Sequence, residues 1–209
     1  MREAVALGFR AHSGWTAAVA AGGSPSKPII LERQRIETAD AGILGSKQPY
    51  HAAKEMCAEK AETFVRQCRE SSTLSAIRAV TAWVAQLRQS GHTLVGAGIL
   101  FASGRPLPNL AAILRSHPLI HTAEGEFFRE VLITAGEHCS LPVTKLKERE
   151  VWERAAKVFR LPLPDLRRRI GELGNSVGPP WRQDEKLASL AAWIVLIESN
   201  SSSSSTHSS

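Results

Sequence analysis

Apolar positions along this chain fall into short runs, strict alternation and helical spacing, and each regime predicts an element. Ala4–Phe9 and Trp15–Ala21 are short apolar runs separated by Arg10-Ala11-His12-Ser13-Gly14. Gly and Ser at that spacing predict a hairpin between two strands. Pro28–Thr38 alternates, with Ile30, Glu32, Gln34 and Ile36 on one side and Ile29, Leu31, Arg33, Arg35 and Glu37 on the other. That pattern predicts a third antiparallel strand, partly at an edge. From His51 to about Gln89, Ala53, Cys57, Phe64, Cys68, Ile77, Val80, Val84 and Leu87 recur at helical spacing. Ser71-Ser72-Thr73 offers a place for that helix to bend or split, and Gly91 is suited to end it.

His92–Ala102 is the most apolar run, bounded by Gly91 and Gly104, and predicts a strand buried on both faces. Asn109–His117 and Glu124–His138 read as helices with a break at Pro118. Leu141–Leu146 predicts a short last strand and Glu150–Phe159 a helix. Leu166–Leu173 predicts a basic helix and Gln183–Ile197 a final one. The serine-rich stretch 199–209 lacks apolar positions that could pack, so a disordered tail is expected there. The order β-β-β-α-β-α-β-α predicts one α/β domain over residues 1–198, a mixed five-stranded sheet with helices on its faces.

Composition adds bounds. Apolar residues make up 43% of 209, enough for a sizeable core. The formal net charge of +6 is spread along the chain rather than gathered in a stripe, so an anionic ligand or nucleic acid is only weakly indicated. Arg167-Arg168-Arg169 reads first as a solvated helix face, and Trp83, Trp152 and Trp193 as core. Cys57, Cys68 and Cys139 form neither a disulfide framework nor a C-x-x-C pair, and read as buried thiols in a reducing compartment. Arg10, His12 and Ser13 interrupt the apolar N-terminal stretch, which is far too short to span a membrane. A soluble cytoplasmic protein is the expectation. No phosphate loop, dinucleotide fingerprint or nucleophile elbow occurs, so no cofactor is specified.

The element order resembles the ribonuclease-H-like fold, and two segments resemble the RuvC-type Holliday-junction resolvases. Leu7-Gly8-Phe9-Arg10 followed by Ser13-Gly14-Trp15-Thr16 resembles their first hairpin. Asp184-Glu185-Lys186-Leu187-Ala188-Ser189-Leu190-Ala191 resembles their last helix, an acidic start followed by Ala and Leu. The resemblance implies phosphodiester cleavage by two metal ions held by carboxylates from the first strand, the central strand and the last helix. Those carboxylates are largely missing here. Arg10 stands at the first-strand acid position, Val95–Phe101 contains no acid, and Leu187 stands three residues after Asp184. A guanidinium repels a metal ion, so a catalytically degenerate binding or interaction module is expected.

The densest polar cluster is Ser116-His117-Pro118-Leu119-Ile120-His121-Thr122-Ala123-Glu124-Gly125-Glu126. His117 and His121 are four apart, a zinc-ligand spacing, provided Pro118 falls in a first helical turn. No third ligand is evident, and no metal site is assigned. A structural alternative has Ser116 or Thr122 capping a helix, with Glu124 or Glu126 near its positive end. If the fold is right, Arg10, His12, Ser13, Ser103, His121, Glu124 and Asp184 neighbour one another, with Arg182 approaching from the last helix. Such a pocket allows a rebuilt enzyme, with His121, Glu124 and Asp184 catalytic toward a phosphate-bearing or small anionic substrate and His117 and Glu126 binding it. The structural alternative is a plain Arg10–Asp184 ion pair with His12 as a turn residue.

Overall fold

A computed structural model describes residues 3–24, 27–102 and 106–205. Five strands form one mixed sheet: β1 (Ala4–His12), β2 (Trp15–Ser24), β3 (Lys27–Glu37), β4 (Thr93–Phe101) and β5 (Val143–Lys147). Their order across the sheet is β3-β2-β1-β4-β5. β1–β2 and β2–β3 pair antiparallel, whereas β1–β4 and β4–β5 pair parallel. The β1–β2 hairpin closes with His12 opposite Trp15, leaving Ser13 and Gly14 as a two-residue turn; Gly14 takes a φ of 83°, where a side chain would be strained.

The described residues also form seven α-helices, α1 (Pro49–Ala53), α2 (Ala58–Gln89), α3 (Leu110–Leu114), α4 (His117–His138), α5 (Val151–Phe159), α6 (Leu163–Leu173) and α7 (Gln183–Ser205), and two 3-10 turns at Glu148–Glu150 and Gly174–Ser176. None of the helices searched is long and apolar enough to cross a membrane. Side chains alternate across β1, so its two faces meet different partners. Val5, Leu7 and Phe9 join one core with α2 and α4, through Trp83, Val84, Phe127, Phe128 and Val131. Gly8 faces the other way, toward α7. A methyl group on Gly8 would run into the Ala188 carbonyl, and one on Gly98 would lie 2.6 Å from the Ala191 carbonyl. The glycines of β1 and β4 and the alanines of α7 therefore let a helix lie directly on the sheet. Gly8 and Ala188, one from each segment quoted for the resemblance, have this packing role.

The element boundaries differ from the sequence pattern in three instructive places. The long helix breaks before Ala58 rather than at Ser71-Ser72-Thr73, which continue inside α2 with Ser72 fully buried. The pattern from Pro118 runs on instead of breaking: α4 starts at His117 and takes Pro118 in its first turn, where the missing N–H costs nothing. α7 carries helical backbone to Ser205, past Ser199, where the tail was expected to begin. Among the cysteines Cys68 and Cys139 are buried as expected, but Cys57 is exposed because it precedes α2 rather than lying on its inner face. Trp83 and Trp193 are core; Trp152 is only partly buried and stacks under the Arg167 guanidinium, 4.6 Å away.

Candidate functional site

Two polar clusters occupy opposite faces of the sheet. On the α7 side, β1 delivers Arg10 two residues after Gly8, so its side chain points the same way, toward the first turn of α7. The Arg10 guanidinium donates to Glu148 through Nη2 at 2.8 Å and through Nε at 3.3 Å. Its Nη1 donates to Asp184 Oδ1, and His12 Nε2 lies 3.1 Å from that same oxygen. Side-chain exposures of 21% for Arg10, 25% for Asp184 and 33% for Glu148 place the cluster at a rim rather than in the core. Burial works against the guanidinium's charge, but Glu148 and Asp184 together outweigh it and raise its pKa above the usual value. One cation is thus held between two carboxylates, in a bidentate fork on one side.

A cleft of about 720 Å³ opens beside Arg10, lined also by His12, Arg129, Glu148, Arg149, Trp152 and Gln183. Next to it, a smaller cleft of about 280 Å³ lies among Trp15, Arg33, Arg35, Arg182 and Asp184. The His12 ring stacks on Trp15 with 4.2 Å between centroids, and the Arg35 guanidinium lies 3.7 Å from the Trp15 ring centre. Arginines therefore flank the Arg10 cluster, and Trp15 is sandwiched between His12 and Arg35.

On the α2/α4 side, His117 and His121 share one face of α4, a turn apart, with their Nε2 atoms separated by 3.0 Å. His51 comes from α1, its ring centroid 4.8 Å from that of His121 and 5.5 Å from that of His117. Beneath them Glu124 is 3% exposed. Its Oε1 accepts from the Tyr50 N–H at 2.9 Å and the His51 N–H at 3.0 Å, and lies 3.3 Å from His51 Nδ1. Desolvation raises the Glu124 pKa, opposed by the hydrogen bonds from His51 and Tyr50. Neither serine nor threonine caps α4 here. Ser116 occupies the N-cap position without a side-chain cap bond, and Thr122 donates back to the Pro118 carbonyl at 3.0 Å. Glu124 serves the first turn of α1 rather than that of its own helix.

The single pocket expected from the sequence is therefore divided. Arg10, His12 and Asp184 meet as expected, with the Arg10–Asp184 ion pair present. His117, His121 and Glu124 meet across the sheet from them, so His121 and Glu124 do not converge with Asp184 on one substrate. The reason is strand alternation: Leu7 and Phe9 face α4, whereas Gly8 and Arg10 face α7. Ser13 is exposed in the hairpin turn, and Arg182 lines the smaller cleft beside Asp184. Glu126 turns from the histidines to pair with Arg129 at 3.2 Å. Ser103 lies outside the described residues.

Five participants were not indicated by the sequence. Glu148 follows β5 directly, and Arg129 reaches from α4 to donate to the Leu100 carbonyl at 3.1 Å. Arg149 and Trp152 complete the cleft wall. An acid just after the last strand was the available signal, since parallel strands gather ligands beyond their carboxyl ends. His51 had no such signal; only α1 packing against α4 brings it near His117.

No protein-family model matches the chain. A search of curated proteins finds no relative. Solved structures do match. Thermus thermophilus RuvC aligns with a TM-score of 0.55 at 10% identity, covering 95% of this chain and 96% of that one. T. thermophilus RuvC in complex with a Holliday junction substrate aligns with the same score and identity, over 94% and 95%. The chain has the ribonuclease-H-like fold of RuvC. At 10% identity the likeness concerns the fold, and what this chain's site does rests on its own residues.

Proposed function

We propose that this chain is a catalytically degenerate ribonuclease-H-like domain that binds nucleic acid without cutting it. The observation that carries this reading is the Arg10 guanidinium held between Asp184 and Glu148. Two-metal cleavage needs anionic oxygens free to hold two divalent cations. Here an internal cation takes up both carboxylates, and a metal entering the cluster would meet a fixed positive charge. The arginines around it support binding: Arg129 and Arg149 in the larger cleft, and Arg33, Arg35 and Arg182 in the smaller. One RuvC relative by fold is described with a Holliday junction substrate, so a four-way DNA junction is the first probe.

Two measurements test the reading. Binding of a four-way junction and of plain duplex, titrated from about 50 to 200 mM salt, is expected to weaken steeply. A flat salt response removes the nucleic-acid part. Incubation of the junction with Mg²⁺ or Mn²⁺ is expected to leave it intact. Metal-dependent cleavage that disappears in Asp184→Asn would show the site to be active and overturn the degenerate reading. Arg10→Asp sharpens the same point: it puts a third carboxylate beside Glu148 and Asp184, and should create a thermal shift with Mn²⁺ that wild type lacks.

A further inference from the structure

We propose that His51, His117 and His121 form a zinc-binding site, with Glu124 as the group that orients His51. The three side chains offer ligand nitrogens that all lie within 4.8 Å of one another. Zn–N bonds of about 2.0–2.1 Å in a tetrahedral arrangement set ligand nitrogens roughly 3.3 Å apart. The His117–His121 separation of 3.0 Å is already close to that value, and turning these two rings toward His51 closes a gap of at most 4.8 Å. His117 and His121 are exposed, so their rings can turn without disturbing the core.

The surroundings are those of a ligand set rather than of chance surface histidines. Glu124 engages His51 at Nδ1, which leaves Nε2 as the nitrogen that ligates. A carboxylate on the far ring nitrogen fixes the tautomer and strengthens the imidazole as a ligand. Glu124 is itself fixed by two backbone N–H groups of α1, and its Oε2 is buried without a hydrogen-bond partner. An uncompensated carboxylate oxygen in that position is costly unless positive charge sits nearby. A divalent cation on the three imidazoles would supply it.

Imidazole ligands select zinc, copper or nickel over magnesium and calcium, and zinc accepts three ligands with an open position. That fourth position faces solvent beside the two exposed histidines, so it takes water or a group from a bound molecule. The bound ion would tie α1 to the start of α4. The inference does not rest on nucleic-acid binding, and its test involves none.

The experiment is Zn²⁺ binding to the full chain after chelator treatment, followed by competition with a chromogenic chelator, with Co²⁺ absorption as a second readout. One Zn²⁺ per chain is expected, with affinity at least about a hundredfold lower in His117→Ala or His121→Ala and about 10–100-fold lower in Glu124→Gln. Co²⁺ should give the intense visible bands of a four-coordinate site, lost in His121→Ala. His138→Ala, an exposed histidine at the far end of α4, controls for adventitious binding and should change neither readout. Because His117 and His121 are exposed, their alanine variants retain the core, which circular dichroism checks. Zinc affinity no lower in His117→Ala and His121→Ala than in His138→Ala would overturn the proposal. So would a Co²⁺ spectrum showing only six-coordinate ion.

Discussion

The Arg10 cluster and the histidine cluster solve opposite electrostatic problems on the two faces of one sheet. Around Arg10, two carboxylates hold one guanidinium between them at a partly exposed rim. Around Glu124, a carboxylate is buried almost completely, with hydrogen bonds to one oxygen and none to the other. The first cluster carries its own cation in the sequence; the second presents imidazole nitrogens around a buried carboxyl group. The difference teaches that one sheet can carry two polar clusters whose electrostatics are set independently, each by its own burial. Burial decides how much each cluster matters for stability, since water screens the rim and cannot reach the core.

Breaking the two clusters should therefore have unequal costs. Glu124→Ala removes the acceptor for the Tyr50 and His51 N–H groups and leaves a small cavity. A loss of about 2–4 kcal/mol is expected by denaturant titration. Arg10→Ala leaves Glu148 and Asp184 facing each other with solvent access, and about 1–2 kcal/mol is expected from the same titration. Equal costs would mean that the rim cluster is less solvated than its exposure indicates.

Salt sharpens the contrast. In about 1 M NaCl the cost of Arg10→Ala should shrink by about half, because the Debye length falls to about 3 Å, while that of Glu124→Ala stays put. A smaller effect concerns Cys68, on the α2 side near Glu124. Burial, aided by the charges of Glu124 and Asp40, pushes its thiol from 9.0 up to about 11. The folded protein then holds a proton that the unfolded chain releases, so stability falls as pH rises from about 9 to about 11. Comparing wild type with Cys68→Ala over that range should show the slope in wild type alone. A thiol reagent at pH 8 should meanwhile modify Cys57 quickly and Cys68 only on unfolding.

Much of the fold was legible because its determinants are local. The short runs of β1 and β2, the alternation of β3 and the unbroken apolar β4 each announce a strand by period alone. The segments Leu7–Arg10, Ser13–Thr16 and Asp184–Ala191 carried the resemblance, and at Gly8 the structure supplies a cause: the backbone of α7 lies directly on it. The thin signal for β5 held, at Val143–Lys147. The helix break was misplaced because Ser71-Ser72-Thr73 are weak breakers that burial overrides, whereas the segment just after α1 has no comparable composition signal.

The sequence by itself determined that Arg10 follows the apolar run of β1, that β4 carries no carboxylate, and that His117 and His121 lie one turn apart. Each follows from residue identity or from spacing within one element. Which of these groups meet was decided only in three dimensions. Strand alternation sends Arg10 toward α7, the parallel β4–β5 pairing brings Glu148 to the same rim, and the packing of α1 on α4 carries His51 across 66 positions to His117. Contacts so distant in sequence leave no periodic trace, because nothing in either segment's own pattern depends on the other. They exist only once both have buried their apolar faces against a common sheet.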